Sequence, residues 1–117
     1  MAIDHLLAVV PVADIEGACS WYEQLLGREP DNRPMETLAE WNITGTGWVQ
    51  IFVDTNRAGS TLLNFAVGDI AAHIEELRIR GLSPQPLQRV NKGMELSSID
   101  DPDGNTITFI GNFRVEY

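Results

Sequence analysis

The sequence predicts an α+β fold made of two similar βαβββ halves, with helices outside a curved mixed sheet that forms a cup or partial barrel. A strand-and-helix pattern occurs twice, about 55 positions apart, and a pair of strands joined by a turn follows each copy. No low-complexity or charge-block linker separates the copies. We therefore expect one domain over residues 1–117, with halves at about 1–56 and 57–117.

The first half begins with a strand and a capped helix. Residues 6–12, LLAVVPV, form an apolar run rich in β-branched side chains, which predicts a buried strand. Asp14 is a favourable N-cap, and apolar residues recur at helical spacing between Ile15 and Leu26. Gly27 then occupies the position where a left-handed C-terminal residue is expected.

The second half repeats this order. Residues 62–67, LLNFAV, predict another strand, and Asp69 is again placed as an N-cap. The helix that begins at Ile70 is expected to stop before Gly81. A shift of 55 positions superposes Asp14 on Asp69, so the two passages are an internal repeat.

Each helix is followed by a link rich in chain breakers and then by a hairpin. The links cover residues 28–34 and 82–88, and a short third strand is expected in each. The predicted hairpin arms are residues 38–44, 48–54, 94–100 and 105–111. The second hairpin turns through Asp-Pro-Asp-Gly at residues 101–104, where Asp-Gly favours positive φ and the acids are expected to cap backbone amides.

Composition restricts the function classes. Apolar residues make up 44% and charged residues 21%, and no apolar run approaches the ~20 residues of a membrane span. The start, MAIDHLLAVV, is acidic where a secretory signal would be basic, so we expect a cytoplasmic protein. Cys19 is the single cysteine and cannot form an internal disulfide. A net charge of −9 disfavours nucleic acid and membrane partners; it favours a cationic ligand, or simply gives solubility.

These segments resemble the vicinal oxygen chelate superfamily, which includes glyoxalase I, extradiol dioxygenases, fosfomycin-resistance enzymes and bleomycin-binding proteins. The resemblance rests on VADIEGACSWYEQLLG at 12–27, VGDIAAHIEELRIRG at 67–81 and, most specifically, IDDPDGNTITFI at 99–110. It implies a small-molecule cleft between paired sheets. It also implies a homodimer, because members of this size commonly pair and often build their clefts across the interface.

The resemblance also implies where a divalent metal would be held, and the residues there are poor ligands. Matched by position, the first and second ligands fall on Leu7 and Leu62, the last on Thr108, and the further carboxylate of glyoxalase I near Ile51. Hydrocarbon side chains cannot bind a metal, and one hydroxyl is a weak ligand. We expect no metal and no cofactor. His5, two residues before Leu7, is the one partial substitute, and a structural role at a strand start is the alternative.

The residues expected to contact a ligand come from the strands of both halves. They are Leu7, Glu40, Trp41, Trp48, Phe52, Leu62, Asn64, Ser98 and Thr108. Aromatic walls can stack on a planar ligand, and a carboxylate such as Glu40 can select a cation. Equally, Trp41 and Trp48 can be packing residues.

The sequence therefore predicts a metal-independent small-molecule binding protein of the glyoxalase and bleomycin-resistance type. By that resemblance it would sequester a cationic or aromatic, antibiotic-like ligand, as an antibiotic-resistance protein does. We assign no catalytic residue, because no nucleophile-base pair or phosphate loop occurs. One alternative is a glyoxalase- or dioxygenase-like enzyme with relocated or absent metal ligands, using an acid such as Glu40 as general base. Another is a dimeric scaffold.

Overall fold

The structure is a computed structural model that describes residues 2–116. In chain order, the elements are β1 (Leu6–Val12), α1 (Ile15–Leu26), β2 (Asn32–Met35), β3 (Leu38–Thr44), β4 (Gly47–Val53), β5 (Leu62–Val67), α2 (Ile70–Ile79), β6 (Gln88–Arg89), a 3₁₀ turn (Asn91–Gly93), β7 (Glu95–Asp100) and β8 (Thr106–Gly111). This is the predicted α+β fold of two βαβββ halves.

Both helices begin at the predicted caps. The side chain of Asp14 accepts a hydrogen bond from the amide of Gly17, and that of Asp69 accepts one from the amide of Ala72. These bonds satisfy amides that have no partner within the helix. At the end of α1, Gly27 adopts φ 77°, the left-handed conformation that glycine enters without steric cost.

The eight strands of the described chain form two separate four-stranded sheets. The first has the order β1-β4-β3-β2 and the second the order β5-β8-β7-β6, each with one parallel and two antiparallel pairings. The expected third strands are present as β2 and β6, although both are short. The sheets do not merge into one continuous cup within the chain, so β1 and β5 are each left at a sheet edge.

One face of each sheet packs against its own helix and forms the core. In the first half, Tyr22 and Leu25 of α1 cover Val10, Trp41 and Ile51. In the second half, Leu77 and Ile74 of α2 lie over Ile107 and Phe109. Complete burial of side chains of this size stabilises the fold by about 2 kcal/mol each.

A buried hydrogen-bond network joins the halves at the second hairpin turn. The Asp101 carboxylate, 5% exposed, accepts from the hydroxyl of Tyr22 at 2.7 Å and from the Asn105 side-chain amide at 2.8 Å. The backbone amides of Asp103 and Asn105 donate to its other oxygen. Asn105 also donates to the carbonyl of Pro11 in β1. The predicted capping role is confirmed, but positive φ is confined to Gly104.

No helix within residues 2–116 is long and apolar enough to cross a membrane.

Candidate ligand-binding faces

The face of each sheet that points away from its helix carries most of the predicted site residues. Side chains alternate between the two faces of a strand, and directly paired residues share a face. Leu7 pairs with Trp48, and Trp48 with Asn42. One step along, Val9 pairs with Gln50, and Gln50 with Glu40. Pro11, Phe52 and Leu38 form the third row. We call this surface the first open face.

At the centre of the first open face is a carboxylate without a basic partner. The side-chain amide of Gln50 donates to Glu40 Oε2 at 2.7 Å, and that of Asn32 donates to Oε1 at 3.1 Å. None of the ion pairs found in residues 2–116 includes Glu40. Two neutral amides orient the carboxylate but leave its charge in place. Trp48 and Phe52 flank Gln50 along β4, so the row that contains the carboxylate lies between two rows that each contain an aromatic residue.

The second open face has the same three rows, and its central row carries smaller, neutral side chains. Its central row consists of Asn64, Thr108 and Ser98. The hydroxyls of Ser98 and Thr108 are 2.8 Å apart and hydrogen-bonded. The outer rows contain Leu62 with Thr106 and Asp100, and Ala66 with Ile110 and Leu96. In this half, the central row offers hydroxyls and an amide but no charge.

The structure places one predicted contact residue elsewhere. Trp41 is 0% exposed on the helix side of β3, where its ring contacts Tyr22 and its Nε1 donates to the carbonyl of Arg28. Strand alternation sends Trp41 and Trp48 to opposite faces, so Trp41 belongs to the core and not to an open face. The other eight predicted residues lie on the open faces, four on each.

Two polar residues of the site were missed by the sequence analysis. Asn32 and Gln50 hold Glu40, and neither was among the predicted contacts. The register of the first hairpin would have identified Gln50 as a partner of Glu40, because it sets the two residues opposite each other. The further carboxylate of glyoxalase I was expected near Ile51; that residue is 0% exposed in the core, and its neighbour Gln50 is the one on the open face.

The positions implied for a metal do not form a metal site. Leu7 and Leu62 are on the open faces, as strand counting expects, and are 50% and 79% exposed. Thr108 is engaged with Ser98. His5 is exposed and precedes the start of β1. Within residues 2–116, no three His, Cys, Asp or Glu side chains are grouped so that they could hold a metal ion. These residues do not fit the family's metal.

Paired βαβββ halves, each with an open sheet face, define a class of proteins that bind small molecules between sheets. The chain belongs to the Glyoxalase/Bleomycin resistance protein/Dioxygenase superfamily, whose sequence model matches residues 2–109. The resemblance seen in the sequence is thereby confirmed. No protein of curated function is significantly similar to the chain.

Several solved structures share this fold. A glyoxalase / bleomycin resistance protein from Catenulispora acidiphila DSM 44928 is 31% identical, with a TM-score of 0.85 over 92% of this chain and 96% of the other. TnmS3, an antibiotic binding protein from Streptomyces sp. CB03234, is 24% identical, with a TM-score of 0.73 over 95% and 98%. A lactoylglutathione lyase from Agrobacterium tumefaciens is 18% identical, with a TM-score of 0.72 over 92% of each chain. The last two likenesses establish the fold alone.

Proposed function

We propose that this protein binds a small aromatic cation on its first open face, without a metal and without chemical conversion of the ligand. The observation that carries the proposal is the Glu40 carboxylate, which is held by Gln50 and Asn32 and lies beside Trp48 and Phe52. A planar ligand would stack on the rings while its charge pairs with the carboxylate. TnmS3, an antibiotic binding protein, shares this fold, and an antibiotic-like ligand is the corresponding proposal for this chain.

Binding is favoured over catalysis because, within residues 2–116, the side-chain hydrogen bonds of Glu40 go to neutral amides and not to a second titratable group. A glyoxalase- or dioxygenase-like reaction would require a metal or an acid-base pair in the site. Glu40 has two neutral amides as partners, and the second open face contributes hydroxyls and an amide. We assign no catalytic role to any of these side chains.

We propose that the binding site is completed by a second copy of the chain. Strands β1 and β5 are sheet edges, and Leu6 and Leu62 on them are 74% and 79% exposed. Unpaired edges with apolar side chains favour pairing with another strand. Joining β1 of one copy to β5 of another would place a first and a second open face side by side in one cup.

The dimer proposal is tested by charging one edge. Leu62→Lys should convert the protein to a monomer in light scattering coupled to size exclusion, because a lysine on an edge strand opposes pairing. Ile79→Lys is the matched control, since Ile79 is 78% exposed but lies on α2. A dimer that survives Leu62→Lys, or a wild-type protein that is already monomeric, would contradict the shared cup.

The ligand proposal is tested with two tricyclic probes of opposite charge, 9-aminoacridine as cation and anthracene-9-carboxylate as anion, by calorimetry at low salt. The cation should bind and the anion should not. Glu40→Gln should weaken the cation about tenfold, since one charge contact beside aromatic rings contributes about 1 to 2 kcal/mol. Ser98→Ala, at the matching position of the second half, should change affinity less than threefold.

Two results would overturn this function. Equal binding of both probes, or no effect of Glu40→Gln, would remove the role of the carboxylate. A stoichiometric Ni, Zn, Fe or Mn ion in the purified protein, removable by a chelator, would overturn metal-independent binding.

A further inference from the structure

A cavity lies between the two halves on their helix-facing side. It has a volume of about 520 Å³, within the range of small-molecule sites. Side chains from both sheets and both helices line it, and most are apolar, among them Leu25, Leu26, Ile43, Leu63, Phe65 and Phe109. Of the proposed contact residues, Trp48 and Asn64 line it as well, whereas Glu40, Phe52, Ser98 and Thr108 do not, so it borders the open faces without including the Glu40 carboxylate.

One wall of this cavity contains a histidine with an unmet hydrogen-bonding requirement. His73 of α2 lines the cavity, and its Nε2 is closed off from solvent with no hydrogen-bond partner within residues 2–116. Its ring centroid lies 4.5 Å from that of Phe109. Burial, and secondarily the positive charge of Arg80, lower the pKa of His73. Buried nitrogens without a partner are uncommon in folded proteins, so this one calls for an explanation.

Arg80, the charged residue at the edge of the cavity, already has hydrogen-bonding and ionic partners within the protein. Arg80 donates to the carbonyls of Leu25 and Gln24 and lies 3.5 Å from the carboxylate of Glu76. It therefore has a carboxylate and two carbonyls as partners before any ligand arrives. An anionic ligand gains little from a guanidinium engaged in this way, and a cation would be repelled by it. The lining and the charges together favour a neutral occupant.

We propose that this cavity is a second binding site, for a neutral and largely apolar molecule that carries a hydroxyl group, with His73 as its polar partner. A hydroxyl both donates and accepts, so it can satisfy Nε2 in either neutral tautomer of the imidazole. Because Nε2 is closed off in the unliganded chain, the imidazole turns toward the cavity when the hydroxyl binds.

The first test compares 2-naphthol with naphthalene, which has the same rings and no hydroxyl, by calorimetry at pH 7.5. 2-Naphthol should bind more tightly by about tenfold, the effect of one hydrogen bond to a buried group. His73→Phe keeps an aromatic ring against Phe109 and should remove that advantage while leaving naphthalene affinity unchanged. His5→Phe, which replaces the exposed histidine, should leave both affinities unchanged.

The second test reports on the histidine directly and does not depend on the stability of a variant. In long-range ¹⁵N–¹H spectra, the Nε2 signal of His73 should shift on addition of 2-naphthol and should not shift on addition of naphthalene. The spectrum of His5→Phe identifies which signals belong to His73, because the chain has two histidines. Leu26→Trp, which narrows the cavity, should abolish binding of both probes.

Three outcomes would overturn the second site: equal affinity for 2-naphthol and naphthalene, an unmoved His73 signal at saturation, or tighter binding of 2-naphthoate than of 2-naphthol. Failure here is distinguishable from failure of the proposed function, because the two are tested with different probes and with substitutions of different residues, His73 and Leu26 here and Glu40 and Ser98 there.

Discussion

The two halves share one backbone plan and carry different chemistry at equivalent positions. Glu40 and Gln50 in the central row of the first open face correspond to Ser98 and Thr108 in the second, since both pairs oppose each other in the same register. In the helices, Ala18 of α1 corresponds to His73 of α2 under the 55-residue shift. A carboxylate held by a neutral amide therefore lies on the open face of one half, and a titratable imidazole lies on the helix side of the sheet in the other.

The difference shows that the repeat conserves what the backbone needs and leaves the side chains of each face free to differ. Asp14 and Asp69 cap their helices in the same way because each helix start requires an acceptor. No such requirement acts on the central rows. The first half therefore supplies the charge and aromatic surface of the proposed site, and the second supplies neutral polar groups.

The largest expected effect distinguishes the two aspartates of the second hairpin turn, Asp101 and Asp103. Asp101→Ala should lower the free energy of unfolding by about 3 kcal/mol, because buried donors from Tyr22 and Asn105 lose a charged acceptor. Asp103→Ala, next in the same turn, should cost about 1 kcal/mol or less, since it accepts one exposed amide hydrogen bond. Urea denaturation at fixed protein concentration measures both. Equal losses would show that the network does not join the halves as described.

A smaller effect distinguishes a glycine of the second hairpin turn from a glycine of the first. Gly104 has φ +96°, so Gly104→Ala should cost about 1 to 2 kcal/mol from backbone strain. A Cβ at Gly45, in the first hairpin turn, would meet no atom within 4 Å, and Gly45→Ala should change stability by less than about 0.5 kcal/mol. Melting temperatures of the two variants test the difference, and a larger loss for Gly45→Ala would contradict it.

The smallest effect concerns pH. The pKa of His73 in the folded protein is lowered by burial, while the unfolded chain has the ordinary value of about 6.5. The unfolded state therefore binds a proton first, and stability is lost as the pH falls below about 6.5. The charged groups near His73, Arg80 and Glu76, act in opposite directions on this pKa.

His73→Phe should flatten the stability profile between pH 7 and 5, as measured by urea midpoints, and His5→Phe should leave its slope unchanged. An unchanged profile in His73→Phe would show that the folded protein does not resist protonation of this ring.

Local patterns were enough to predict the fold. Both helix starts, the turn at Gly27 and the order of strands follow from periodicity and capping chemistry, which act over a few residues. The open-face positions of Leu7 and Leu62 were implied by the family resemblance. The contact residues remain a prediction. Eight of the nine lie on the open faces, whereas the link of Gln50 and Asn32 to Glu40 required the cross-strand register.

By itself, the sequence determined the two-half architecture, because repeated caps and strand patterns specify local structure wherever they occur. Only the tertiary structure decided that Trp41 packs in the core while Trp48 stays on an open face, that the sheets remain separate, and that Tyr22 meets Asp101 across 79 positions. A period of two distinguishes the faces of a strand, but it does not say which face a helix covers. Packing makes that choice, since it depends on residues far apart in the chain.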